Sequence, residues 1–366
     1  MSSLSDRAPD YIRAISPYIP GKPITQLARE MGLPVERIVK LASNENPLGM
    51  SPLARRAVEA SLAGIERYPD QHDLIAALAN RHGVSPAQIV LGNGSNDVLD
   101  MAARVFLAPG RSAVFSQHAF AVYPLATMSA GATCLAAPAR DFGHDLAAMR
   151  AAVREDTRLV WIANPNNPTG NFLPAAPVRD FLAGLPADVA VVLDEAYNEY
   201  LAPADRADTL AWLKEFPNLI ITRTFSKVYG LAGLRVGYGV AAEGVADLMN
   251  RVRQPFNVNN LALAGAIAAL DDHAFIAQSY ALNRAGMEQL LAGIKRLGLG
   301  HIPSHGNFLT IAVGDGAAVN QRLLRQGVIV RPIGGYGLPN HLRVTIGTED
   351  ENRRFLDALA QALQAA

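Results

Sequence analysis

Leu219-Ile220-Ile221-Thr222-Arg223-Thr224-Phe225-Ser226-Lys227 is an apolar, β-branched run that ends on hydroxyls and an amine. Upstream, Val189-Ala190-Val191-Val192-Leu193-Asp194 repeats the pattern with a carboxylate at its end. Near-continuous apolar runs of this kind are strands covered on both faces. Between Tyr68 and Val240 they alternate with helical patterns, and strands are expected over residues 88–91, 112–115, 159–163, 189–193, 219–222 and 236–240. A helix is expected over 95–107, with Val98, Leu99, Ala102, Val105 and Phe106 on one face and Ser95 as its N-cap. Such alternation predicts an α/β fold with a mainly parallel central sheet covered by helices. Ligands of such sheets bind beyond the C-terminal strand ends, which is where Asp194 and Lys227 fall.

The pattern then changes. Helices are expected over 242–252 and 272–297, followed by short strands at 308–313, 328–331 and 342–346 and helices at 316–326 and 349–364. That is the signature of a smaller α+β domain. A strand-like run at 38–41 precedes the large domain and needs a sheet, so the N-terminal segment is assigned to the small domain. The expected division is 45–260 for the large domain and 1–44 with 261–366 for the small one.

The bulk composition narrows the function. With 33 Lys+Arg against 33 Asp+Glu, the net charge of zero gives no footing for nucleic acid or a membrane surface. The single cysteine, Cys134, excludes an internal disulfide, fits a reducing compartment and reads as core or strand. The N-terminus is polar without an apolar signal region, and the apolar stretch 261–270 is too short to span a bilayer. A cytoplasmic location is expected, and no metal.

A strand-end lysine is usually solvated and a strand-end aspartate often caps a helix. Together they suit pyridoxal 5′-phosphate: the amine forms an imine with the aldehyde, and the carboxylate keeps the pyridine nitrogen protonated. The neighbouring motifs offer the remaining groups. Gly92-Asn93-Gly94-Ser95-Asn96-Asp97 joins a strand to a helix start, a ready anion site. As a dinucleotide fingerprint it is poor, because Asp97 stands where the third glycine belongs; an ordinary capped turn is the plain alternative. Asn164-Pro165-Asn166-Asn167-Pro168-Thr169-Gly170 is a rigid turn with more amides than a turn needs, and Asn167 is the candidate for a ligand oxygen. Tyr197 follows Asp194 closely enough to reach the far side of the same ring. Thr224, Ser226 and Arg235 suit a phosphate monoester, with Gly230 and Gly233 allowing close backbone approach. Arg331 and Arg343 lie in apolar strands, where each needs an ion-pair partner or an anionic ligand.

The set Asn164 to Gly170, Asp194-Glu195-Ala196-Tyr197, Thr224-Phe225-Ser226-Lys227 and Gly230 to Tyr238 strongly resembles fold-type I aminotransferases. With Leu41-Ala42-Ser43-Asn44-Glu45-Asn46-Pro47, Arg67-Tyr68-Pro69-Asp70 and Leu342 to Gly347, the chain is similar to histidinol-phosphate aminotransferases from about Ser16 to its end. The resemblance implies that Lys227 carries the cofactor and moves the substrate proton, and that Asp194 pairs with the pyridine nitrogen. Tyr197 and Asn167 would bond the ring oxygen, and Phe120 would stack on the ring. Gly94, Ser95, Asn96, Thr224, Ser226 and Arg235 would hold the phosphate. Tyr68 would reach the cofactor of the neighbouring subunit, implying a homodimer with shared sites. Arg343, Arg331 and Tyr18 would bind substrate anions. The implied reaction is reversible, ping-pong transamination of L-histidinol phosphate with 2-oxoglutarate, giving imidazole acetol phosphate and L-glutamate in histidine biosynthesis. Phe120 is often Tyr in relatives, Gln117-His118 replaces a common proline, and Asn198 stands where an aliphatic residue is usual. Asn44, Glu45, Asn307 and Tyr336 are expected near the site without assigned roles. The competing readings are an aromatic amino acid aminotransferase, a pyridoxal-phosphate-dependent decarboxylase of a phosphorylated amino acid such as threonine phosphate, and a non-enzymatic cofactor-binding protein.

Overall fold

The structure, a computed structural model, describes residues 4–364. Its main element is a seven-stranded sheet in the spatial order Ile89–Gly92, Gly237–Ala241, Leu219–Thr224, Ala190–Asp194, Thr157–Ala163, Ser112–Ser116, Thr133–Ala137. Every pairing is parallel except those of Gly237–Ala241, which runs antiparallel to both neighbours. The period of two is visible in the packing. Leu91, Val114, Val160, Val191, Ile221 and Val240 enter one core. Val90, Ala113, Leu159, Val192, Ile220 and Ala241, each next in line, enter the other. Both faces are therefore covered, which explains why these strands read as unbroken apolar runs.

The strand Thr133–Ala137, containing Cys134, lies at the sheet edge and stands outside the expected strand set. Its partly exposed residues lack the dense apolar signal of the interior strands. The helix Asn260–Leu270 is likewise an addition to the sequence-based elements. It is apolar all round, so it carries no helical stripe to detect. Its Ala262, Leu263, Ala266 and Leu270 pack into the large core. An expected domain boundary at 260 falls ahead of this helix, and we propose a division inside His273–Arg296 instead, where the partly buried Ile276 packs against the large core and Met287, Leu290 and Ile294 enter the small one.

The small domain carries a four-stranded antiparallel sheet in the order His301–Ile302, Phe308–Ala312, His341–Thr345, Arg331–Pro332, backed by the helix Glu349–Gln364 through Phe355 and Leu359. The run expected as one strand over 328–331 is two. Val328–Ile329 pairs in parallel with Val39–Lys40, and Arg331–Pro332 pairs with the strand that holds Arg343. The N-terminal strand thus joins the small domain. Among the described residues no single helix is long and apolar enough to cross a membrane, and no cluster of three or more His, Cys, Asp or Glu could hold a metal ion.

Candidate active site

Sheet register brings the chemistry to one edge. Ala163 pairs with Asp194, and Asp194 with Thr222, so three strands end together. Their loops face the small sheet across a cleft of ≈ 340 Å³. Lys227, Asp194, Tyr197, Asn167 and Phe120 line it, as do Ser95, Asn96, Thr224, Ser226 and Arg235, with Tyr18, Arg331 and Arg343 completing the wall.

Asp194 is buried and fully engaged. Thr222, on the adjacent strand, donates its hydroxyl to Oδ1 at 3.1 Å, and Tyr123 donates its hydroxyl to Oδ2 at 2.8 Å. The Tyr123 ring is stacked on Trp161, with centroids 5.1 Å apart and planes 4° from parallel. Burial pushes the Asp194 carboxyl above its usual range, while the two hydroxyls pull it back. Tyr123 and Thr222 were not identifiable from the motifs. The only signal for Tyr123 was its position one helical turn beyond Phe120.

Lys227 Nζ donates to the Ser43 carbonyl at 3.2 Å. Burial first, then the positive charges of Arg343 and Arg235, lower its amine to about 8 against the pull of Glu45 and Asp194. Tyr197 Oη accepts from Asn44 Nδ2 at 2.9 Å, and burial pushes this phenol up to about 12. Asn44 adopts a left-handed φ of 56°. It is tied down by its N–H to Thr345 Oγ1 at 2.9 Å and by its carbonyl, which accepts from Asn307 Nδ2 at 3.0 Å. Asn44 and Asn307 therefore fasten the small sheet to the cleft. Tyr336 lies off the cleft wall; its carbonyl bonds His118 Nδ1 at 2.7 Å. His118 anchors the loop before Phe120, and its own carbonyl accepts from Asn166 Nδ2 at 3.0 Å.

The residues expected to hold a phosphate gather at one end of the cleft. Gly94, not Ser95, caps the helix Ser95–Phe106, so the Ser95 hydroxyl is not spent on a capping bond. Gly94 has φ +81°, and a Cβ there would lie 2.3 Å from Arg235 Nη2. Arg235 Nη1 donates to the Ala232 carbonyl at 3.0 Å and to Ser226 Oγ at 3.4 Å. Asp97, misplaced for a dinucleotide fingerprint, accepts from the Asn93 N–H at 2.9 Å and from Asn257 at 2.7 Å, and so shapes the turn. Gly230 serves the chain itself: a Cβ there would meet the Gly49 carbonyl at 1.9 Å.

Arg343 is buried without a carboxylate. Nη1 donates to Asn167 Oδ1 at 2.5 Å and Nη2 to the Ala42 carbonyl at 2.7 Å, while Nε has no partner among the described residues. Arg331 lies over the Tyr18 ring at 5.2 Å. Among the described residues neither arginine forms an ion pair. The ion-pair alternative fails for both, and a buried cation with an unused N–H calls for an anionic ligand. Tyr68 is apart from this cleft: 80% exposed, it stacks on Phe256 at 4.5 Å.

Compared with known proteins, residues 36–359 match the model of the aminotransferase class I and II family. The chain is 74% identical to histidinol-phosphate aminotransferase 1 of Dechloromonas aromatica (strain RCB), over 99% of this chain and 100% of the relative. It is 63% identical to histidinol-phosphate aminotransferase 1 of Thiobacillus denitrificans, over 98% and 94% of the two chains. A crystal structure of histidinol-phosphate aminotransferase from Sinorhizobium meliloti, in complex with pyridoxal-5′-phosphate, superposes with a TM-score of 0.91 at 30% identity, covering 100% of this chain and 99% of that one. An amine and a carboxylate at adjoining strand ends, faced by two arginines without an ion-pair partner among the described residues, fit an aminotransferase on a fold-type I scaffold. The chain belongs to the aminotransferase class I and II family, among its histidinol-phosphate aminotransferases.

Proposed function

We propose that this protein transfers the amino group of L-histidinol phosphate to 2-oxoglutarate, yielding imidazole acetol phosphate and L-glutamate, with pyridoxal 5′-phosphate held at Lys227. The observation that carries the substrate is the pair Arg331 and Arg343. Both face the amine of Lys227 across the cleft, and neither has a carboxylate partner among the described residues. The residues also fit the cofactor. The cradle of Gly94, Ser95, Asn96, Thr224, Ser226 and Arg235 suits its phosphate, Phe120 its ring face, and Asn167 and Tyr197 its ring oxygen.

Bound there, the cofactor supplies an aldehyde for imine exchange and a ring that accepts the electrons of a broken Cα–H bond. Asp194 keeps a proton at the pyridine nitrogen, and Tyr123 and Thr222 hold its carboxylate in place for this. Lys227 Nζ, lowered to about 8, is neutral often enough near neutral pH to take the substrate's Cα proton and give it back. Arg343 binds the phosphate of histidinol phosphate, or the α-carboxylate of glutamate in the other half-reaction, and Arg331 with Tyr18 adds the second positive contact that a dianion uses.

The protein works as a homodimer in which Tyr68 reaches the neighbouring subunit's site. Support comes from its exposure: Tyr68 stacks on Phe256, itself 53% exposed, and Leu62 (54%) and Ile65 (57%), a few residues ahead of it in the chain, are exposed apolar side chains as well. The cytoplasm is its compartment, consistent with a free cysteine and no disulfide. The names of the relatives do not favour the aromatic amino acid or phosphorylated amino acid decarboxylase readings. The test is turnover of histidinol phosphate with 2-oxoglutarate, scored for glutamate, beside phenylalanine with 2-oxoglutarate and threonine phosphate without a keto acid, the last scored for carbon dioxide. Glutamate formed from histidinol phosphate supports the proposal; turnover of phenylalanine alone, or carbon dioxide release from threonine phosphate without keto-acid consumption, overturns it.

A further inference from the structure

We infer that Glu45 reads the imidazole ring of the substrate by accepting a hydrogen bond from its N–H, and so distinguishes it from a phenyl ring. The inference rests on the proposed function. The cleft is strongly basic: Lys227, Arg235, Arg331 and Arg343 all line it. Among the described residues two carboxylates do so, Asp194 and Glu45. Asp194 is buried and holds two hydroxyls, so it is committed to its own position. Glu45 is the remaining anionic acceptor.

The substrate's groups can be apportioned by charge. The amine must go to Lys227, and the phosphate to Arg331 and Arg343. That leaves an imidazole, a hydrogen-bond donor that becomes a cation near neutral pH. In a cleft with this many cations it is favoured next to Glu45, which has one carboxylate oxygen unpartnered among the described residues, and disfavoured elsewhere.

The local structure holds Glu45 ready for that task. Lys40 Nζ donates to Oε1 at 3.0 Å, and Oε2 has no protein partner among the described residues. The preceding residue, Asn44, is pinned to Tyr197, Thr345 and Asn307, so the backbone that carries Glu45 is fixed relative to Lys227. The Glu45 side chain remains 45% exposed, which lets water replace a missing donor and limits the discrimination. The expected preference is therefore about tenfold, well short of what a fully desolvated acceptor would impose.

The test uses two competitive inhibitors that differ only in the ring, 3-(imidazol-4-yl)propyl phosphate and 3-phenylpropyl phosphate, against the cofactor-loaded unmodified protein, Glu45→Ala and Glu45→Gln. A visible absorption band dependent on Lys227 in all three confirms that each site is assembled. The unmodified protein should prefer the imidazole inhibitor about tenfold, Glu45→Ala should lose the preference, and Glu45→Gln should keep part of it. An unchanged preference in Glu45→Ala overturns the inference. Equal weakening of both inhibitors also overturns it, assigning Glu45 to the general charge balance around Lys227. If the unmodified protein fails to turn over histidinol phosphate, it is the proposed function that fails, and this inference with it.

Discussion

Replacing Tyr123 by Phe removes one oxygen and keeps the ring that stacks on Trp161. What is lost is a 2.8 Å hydrogen bond to a buried carboxylate. Hydrogen bonds to charged groups are worth about 1.5–3 kcal/mol. The bond stabilises the ionised form of Asp194, and burial opposes that form. Its loss therefore moves the Asp194 pKa further up. Thr222 remains as a single donor at 3.1 Å. With its carboxylate more readily protonated, Asp194 holds the pyridine nitrogen less well, and cofactor binding should weaken about 10- to 100-fold. The assay is a titration of cofactor-free protein with pyridoxal 5′-phosphate, followed by visible absorbance at several pH values. The loss should be greatest on the acid side and should shrink as pH rises. An affinity within about twofold of the unmodified protein across that range would refute the reasoning, because the bond would then contribute nothing to the state of Asp194.

Other expectations follow from the same contacts. Arg331→Ala should lower kcat/KM for histidinol phosphate by about tenfold or more while sparing glutamate, since a dianion uses the second cation and a carboxylate does not; equal losses for both would contradict the division of labour. Gly94→Ala should weaken cofactor binding at least about tenfold and also lower the melting temperature, because the new Cβ would meet Arg235 Nη2 at 2.3 Å on a backbone at φ +81°; unchanged affinity would remove the cradle from the account. Cofactor capture by the cofactor-free protein should accelerate with pH and level off above about 8, where Lys227 is neutral; Arg343→Gln should move that midpoint upward, because it removes a charge that lowers the amine, and a rate still climbing towards pH 10 in the unmodified protein would contradict the buried setting of Lys227.

Much of this was legible in the chain because strand ends deliver residues to fixed places. Asp194 and Lys227 could be placed from the two apolar runs alone, since parallel strands covered on both faces put their C-terminal ends at a ligand site. The residues that support them were not legible. Tyr123 meets Asp194 across 71 positions of chain, and Asn44 meets Tyr197 across 153. No local motif encodes a contact of that kind. Asn44 could be quoted but given no role, because its task is to join the two sheets. The helix Asn260–Leu270 escaped because alanine and leucine on every side leave no periodic stripe. Val328 to Arg331 read as one strand because the apolar pattern is continuous, while the chain changes partner between Ile329 and Arg331. Arg331 and Arg343 were ambiguous in sequence; only the lack of an ion pair to either one among the described residues decides between an ion pair and an anion site.

The central claim is tested most directly by the absorption spectrum of the purified, cofactor-loaded protein before and after L-histidinol phosphate. A visible band that requires Lys227, disappears on adding L-histidinol phosphate and returns with 2-oxoglutarate is the predicted result. A band that ignores histidinol phosphate but responds to phenylalanine would contradict the substrate assignment, and no Lys227-dependent band after addition of pyridoxal 5′-phosphate would contradict the account at its root.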